Sequence, residues 1–123
     1  MRLNGEDHRE TLREAGNYAR SLTEFERFEE AKSLMRKTMP VARRVLGDNN
    51  DDVLRMRGIY AQTLFEDPAA TLDDLREAVT TLEDMEPIAR RLLGNSHPTV
   101  RATEFGLRQT RAALRARETP GGA

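Results

Sequence analysis

The chain contains no cysteine and no tryptophan, its aromatic residues amount to 5%, and its net charge is only −1. Without cysteine there is no disulfide framework, no thiolate zinc site and no thiolate nucleophile, and a reducing compartment fits. Without alternating runs of aromatic or β-branched residues there is no pattern for strands. The 20 basic and 21 acidic residues cancel, so no global field attracts nucleic acid. No apolar stretch approaches the roughly 20 residues that a membrane helix requires, and the polar opening "MRLNGEDHRE" does not read as a signal peptide. The expectation is a soluble, cytoplasmic protein. Neither G-x-x-x-x-G-K-[ST] nor G-x-G-x-x-G occurs, and "HRETL" lacks the second histidine of H-E-x-x-H. No cofactor, metal or catalytic constellation is expected, and the chain reads as a non-enzyme.

What is abundant is leucine, alanine, arginine and glutamate at helical spacing. Five helices are predicted. The first spans about 8–24, with Asp7 and Glu10 as a capping box and Leu12, Ala15, Tyr18, Ala19 and Leu22 inward. The second spans about 27–46, with Phe28, Ala31, Met35, Met39, Ala42 and Val45–Leu46 inward, and ends on Gly47 as a left-handed C-cap. The third spans about 50–65 and stops before Pro68, because proline pushes the preceding Asp67 out of helical angles. Thr71 with Asp74 restarts the chain, and the fourth helix runs through Leu75, Val79, Leu82, Met85, Ala89 and Leu92 to Gly94. The fifth starts at Ser96 or His97 with Pro98 in its first turn, and the ending "TPGGA" reads as a disordered tail at 119–123. Pro40 and Pro87 fall inside helices and deprive the carbonyls of Arg36 and Glu83 of their partners. A bend is predicted near each, with the helix continuing to its glycine.

Two phrases recur, "MPVARRVLG" at 39–47 and "EPIARRLLG" at 86–94. A third set, "LNGEDHRETL", "VLGDNNDDVL" and "LLGNSHPTV", places Gly5, Gly47 and Gly94 at spacings of 42 and 47 residues. That period signals a helical solenoid. Tyr18–Ala19 aligns with Tyr60–Ala61 and Leu22 with Leu64; Ala31 aligns with Ala78 if five extra residues lengthen the turn in "FEDPAATLDD". The third unit keeps one helix, whose Arg101, Arg108, Arg111 and Arg115 make a polar cap.

The phrase "NYARSL-x5-FEEAKSL-x11-LGD" with links "GEDHRETL" and "GNSHPTV" resembles the tetratricopeptide repeat of the kinesin-light-chain type; the middle link departs from it, with Asn50 in the histidine position. The resemblance implies an all-α, right-handed α–α superhelix of two helix pairs plus a C-terminal capping helix. Its units would be about 5–46 and 47–93, with the cap at about 96–117, in a single domain over 1–118. It also implies protein–protein interaction through a concave groove that receives a peptide or helix segment. The groove-facing positions would be Arg13, Gly16, Arg20 and Thr23 from the first helix, Arg55, Gly58, Gln62 and Phe65 from the third, and Ala102, Phe105 and Gln109 from the last. Gly16 and Gly58 would let a ligand backbone approach, the arginines would grip carboxylates of an acidic peptide, and Phe105 would anchor an apolar group. The positions that form a carboxylate clamp in co-chaperone repeats hold Gly16, Arg20, Ile59, Ala102 and Gly106, so that clamp is mostly absent.

Two other readings stand beside this one. A structural or self-association module would pack through its repeat ends as a weak homodimer, where the first reading expects a monomer. The arginine stripe of the last helix could meet phosphates, but no aromatic platform or helix-turn-helix pattern accompanies it. His8 and His97 occupy matching link positions at helix starts, which suits local capping better than a shared metal.

Overall fold

A computed structural model describes residues 5–118, with side chains from residue 9. It is all-α: α1 (Gly5–Glu24), α2 (Phe28–Leu46), α3 (Asp51–Glu66), α4 (Leu72–Leu93) and α5 (Pro98–Glu118). The tail at 119–123 and the side chains of Asp7 and His8 lie outside the described residues. Helix α1 already runs at Gly5, so Asp7 sits within it and not at its N-cap.

The other helix ends obey their local chemistry. Asn50 caps α3 by accepting from the N–H groups of Asp52 and Val53. Thr71 and Asp74 form the reciprocal capping box of α4. His97 Nδ1 accepts from Thr99 N at the start of α5. Asn50 and His97 therefore perform the same task at the same repeat position, and the departure in the middle link is chemically conservative. Asp67 is extended, as its place before Pro68 requires. Both α2 and α4 run unbroken through their internal prolines. Gly47 and Gly94 end them with φ of 85° and 92°, but ψ of 160° and 154°. This is the extended region of positive φ and not the left-handed helical cap expected; only glycine occupies it readily.

Side-chain pairs fix the topology. Arg13 reaches Asp52, Arg55 reaches Asn17 and Thr23 meets Thr63, so α1 and α3 run parallel. Arg76–Glu118, Arg111–Glu83 and Arg90–Glu104 run in opposite order, so α4 and α5 are antiparallel. Helices α1, α3 and α5 form one layer, with α2 and α4 behind them. The core lies between the layers: Ala19, Met35, Leu54, Met56, Leu64, Ala78, Met85 and Val100 are essentially inaccessible. The aligned alanines, Ala19 with Ala61 and Ala31 with Ala78, are all buried. Their small side chains let adjacent helices approach closely.

The five additional residues of the second pair are divided. The α3–α4 connection has five residues (67–71) against three (25–27) in the first pair, and α4 has 22 residues against 19 in α2. Two of the five thus lengthen the turn and three lengthen the helix, where a longer turn alone was expected. Three residues of the expected inward stripes face solvent: Tyr18, Val45 and Leu92. Tyr60 explains Tyr18. Tyr60 is buried because α2 and α4 close over it, with Arg36 donating to its hydroxyl and that hydroxyl bonding Glu77. Tyr18 occupies the same repeat position but has no preceding helix pair in the described fold, and it is 56% exposed.

Candidate functional site

Helices α3 and α5 leave a gap between them. The two helices touch only lightly, while α5 leans on α4. A cavity of about 410 Å³ opens between them. Its floor is Leu82 and Met85 of α4, visible because small residues stand above them. A Cβ on Gly58 would meet Met85 Cε at 3.8 Å, and one on Gly106 would meet Leu82 Cδ1 at 3.3 Å. Leu54, Ile59 and Phe65 of α3 form one wall, and Ala102 and Phe105 of α5 the other. Arg20, Arg55, Gln62, Glu66 and Gln109 supply the polar rim.

Of the eleven groove positions predicted, eight line this cavity: Arg20, Arg55, Gly58, Gln62, Phe65, Ala102, Phe105 and Gln109. Arg13 and Gly16 do not line it. Arg13 pairs with Asp52 at 3.2 Å along the α1–α3 seam. Gly16 is buried, and a Cβ there would stand 3.1 Å from Met56 Cγ, so its smallness serves the packing of α1 on α3 and not a ligand. Thr23 is also internal: its hydroxyl donates to the Ala19 carbonyl and meets the Thr63 hydroxyl at 2.7 Å. An isolated sequence cannot separate an exposed threonine from one whose hydroxyl is satisfied inside the fold.

The rim arginines are held lightly. Arg20 Nε donates to Glu24 at 3.3 Å, between two side chains that are both more than half exposed. Such a pair contributes little. Arg55 donates to the neutral Asn17 carbonyl oxygen at 2.8 Å, so its charge has no carboxylate opposite it there. Both guanidiniums stand beside an apolar hollow. Arg108 lies over the Phe105 ring, 6.0 Å from its centre, which steadies that wall.

On the opposite side, between α2 and α4, lies the polar network that periodicity could not reveal. Lys32 is buried and reaches Glu29 at 2.9 Å, Asp67 at 3.2 Å and Asp74 at 3.8 Å. Burial pulls its ammonium down, but the hydrogen bonds to Glu29 and Asp67 and the charge of Asp74 outweigh this and hold it above the usual lysine range. Burial, then the bond to Glu77, pushes the Tyr60 phenol up to about 12. Burial and the nearby charge of Arg43 lower the Arg57 guanidinium. Lys32 and the Arg36–Tyr60 contact tie the first helix pair to the second, while Arg57 faces Asp84 of its own pair at 4.0 Å; Lys32, Tyr60 and Arg57 do not line the cavity between α3 and α5. Among the described residues no group of three histidine or acidic side chains could hold a metal, and no helix is long and apolar enough to cross a membrane.

The arginines of α5 have a clear place in the repeat. Leu12 and Leu54, Ala19 and Ala61, and Leu22 and Leu64 are the positions that pack under the second helix of each pair. The same positions of α5 hold Arg101, Arg108 and Arg111, all exposed. Arg111 pairs with Glu83 at 2.8 Å, and Arg117 donates to the Ala70 carbonyl. Charge takes these core positions in α5, the last described helix.

Residues 15–52 match the family model of the tetratricopeptide repeat. The matched stretch runs from the middle of α1 through α2 to the first residues of α3. It includes the Gly47 link and the Asn50 cap. The match covers most of the first pair; the second pair differs from the first in the longer turn and the longer α4. No curated protein and no solved structure matches the chain. The five-helix all-α arrangement is consistent with a tetratricopeptide-like repeat fold.

Proposed function

We propose that the chain is a non-catalytic binding module whose α3–α5 cavity receives a peptide or helical segment carrying an apolar anchor beside acidic groups. One observation carries this reading: eight of the eleven expected groove residues, brought together from α1, α3 and α5, line one open hollow of about 410 Å³. Its walls are mostly hydrocarbon, and its two rim cations are poorly engaged by the protein itself. An apolar side chain would bury against Phe65, Phe105, Leu82 and Met85, and burying one fully contributes about 1.5–3 kcal/mol. A carboxylate beside it would offer Arg55 the bidentate partner that Asn17 cannot. The groove is short, so affinity is modest and rests on the anchor.

The repeat frame that supports this has units at 5–46 and 47–93 and a capping helix at 96–117, within one domain over 1–118. The kinesin-light-chain type is the subtype we favour, because links of the form Gly-x-x-Asn or Gly-x-x-His cap the next helix at both described junctions. A cytoplasmic setting fits a cysteine-free chain of this kind. The exposed Arg101, Arg108 and Arg111 speak against end-on stacking, because stacking there would take charged side chains out of water.

The test is fluorescence polarisation with an acidic peptide library that includes aromatic members. Wild type should bind acidic peptides that carry an aromatic residue. Arg20→Glu/Arg55→Glu should weaken binding by about tenfold or more, the equivalent of about 1.4 kcal/mol, and Phe105→Ser should do the same. Equal binding by all three proteins would exclude the groove.

A further inference from the structure

The largest exposed apolar side chain away from the cavity is Phe25, 79% accessible, in the turn between α1 and α2. Neither apolar stripe uses it, and no hydrogen bond or ring contact holds its side chain. It is bracketed by Glu24 and Glu26, so the turn presents acid–phenylalanine–acid. Glu26 adopts φ of 62°, the only non-glycine residue of positive φ among the described residues. That conformation is unfavourable for a side chain with a Cβ. The turn is nonetheless fixed: Phe25 N donates to the Ser21 carbonyl, Glu26 N to that of Thr23 and Arg27 N to that of Leu22. A rigid turn thus holds a solvent-facing aromatic ring between two carboxylates.

We infer that a second copy of this chain is a ligand of the α3–α5 cavity, seating its Phe25 between Phe65 and Phe105 while Glu24 and Glu26 meet Arg55 and Arg20. This rests on the groove reading above and names an occupant for it. The chemistry is complementary on both counts, an exposed ring for an apolar hollow and two carboxylates for two lightly held arginines. Each copy carries both halves of the contact. When two copies exchange these halves reciprocally about a two-fold axis, the assembly closes as a dimer and shields two Phe25 and two Phe105 side chains together. The Glu24–Arg20 pair within one copy opens so that each side chain meets a partner on the other copy, and little electrostatic energy is lost because that pair is solvent-exposed.

Sedimentation over a wide concentration series tests this, with wild type, Phe25→Ser and Phe105→Ser. All three fold, because both rings are exposed. Wild type should pass from monomer to dimer, and each variant should raise the dimer dissociation constant about tenfold or more. A labelled peptide of residues 19–27 should bind Phe25→Ser, whose cavity is intact, and should not bind Phe105→Ser. A wild type that stays monomeric overturns the inference; if the peptide or another acidic aromatic ligand still binds, the groove reading stands without it. Association that Phe25→Ser leaves unchanged overturns it as well and assigns the contact to another surface. If wild type binds no acidic aromatic peptide at all, the groove reading fails and the inference falls with it.

Discussion

At the scale of single residues, two positions report on how local chemistry and fold disagree. Glu26 occupies a turn position that suits glycine. Glu26→Gly should remove the steric cost of positive φ, which is about 1–2 kcal/mol per residue, against a smaller loss from greater freedom in the unfolded chain. The expected result is a net gain of about 1 kcal/mol in urea unfolding. Tyr60 is the second. Its phenol is pushed up to about 12 by burial and by Glu77. The folded state thus keeps its proton where the unfolded state, with a usual value near 10, has begun to lose it. Stability should fall as pH rises above about 10, because the folded state then binds more protons. Spectrophotometric titration should show one of the two tyrosines ionising only near pH 12, and Tyr60→Phe should remove that step. The contrast with Tyr18 was not legible in the sequence. Both tyrosines sit at the same repeat position, and their difference comes from which helices are present around them.

At the scale of elements, helix ends were the most legible feature. The boundaries around Asp67–Pro68, Thr71–Asp74, Gly94 and His97–Pro98 depend on backbone sterics and hydrogen bonds within a few residues, and such signals survive without tertiary knowledge. What was not legible needed the neighbouring helix. Gly16 looked like a groove glycine until Met56 was found 3.1 Å from its missing Cβ, and Thr23 looked exposed until Thr63 was found beside it. The five additional residues of the second pair could be counted but not apportioned, since a helix can grow by three residues as easily as a turn can. The link glycines carry a clear prediction. Gly94→Ala forces a Cβ into φ of 92° with ψ of 154°, and should destabilise by about 1–3 kcal/mol. Gly47→Ala should behave alike, because its backbone is nearly the same. Thermal unfolding of the two variants checks this.

At the scale of the molecule, two faces divide the work. The α2–α4 side joins the first helix pair to the second through a buried lysine that contacts α2, the α3–α4 turn and α4. Lys32→Ala leaves Asp67 buried without its cation, and removing one member of such a pair costs about 3–5 kcal/mol. The ammonium is held above its usual range. Its contribution is therefore fully present below the unfolded value of about 10.5 and disappears as pH rises through the folded one. Urea unfolding at neutral and at strongly alkaline pH should show the penalty of Lys32→Ala shrinking at the higher pH. The cavity-lining residues on the opposite side were legible to the extent that repeat spacing puts one face of α1, α3 and α5 toward a common hollow. The buried network was not, because charged residues on a helix look alike in sequence whether they meet water or each other.

Where a ligand touches the fold decides whether the hollow between α3 and α5 is a binding site. Titrating an acidic phenylalanine peptide into isotopically labelled protein and following amide and side-chain NMR signals maps that contact. The predicted result is a set of shifts concentrated at Arg55, Gly58, Gln62 and Phe65 of α3 and at Ala102, Phe105 and Gln109 of α5, with little change at Arg36, Arg43 and Glu77 on the α2–α4 side. Shifts centred on that opposite side, or none at any peptide concentration, would contradict it.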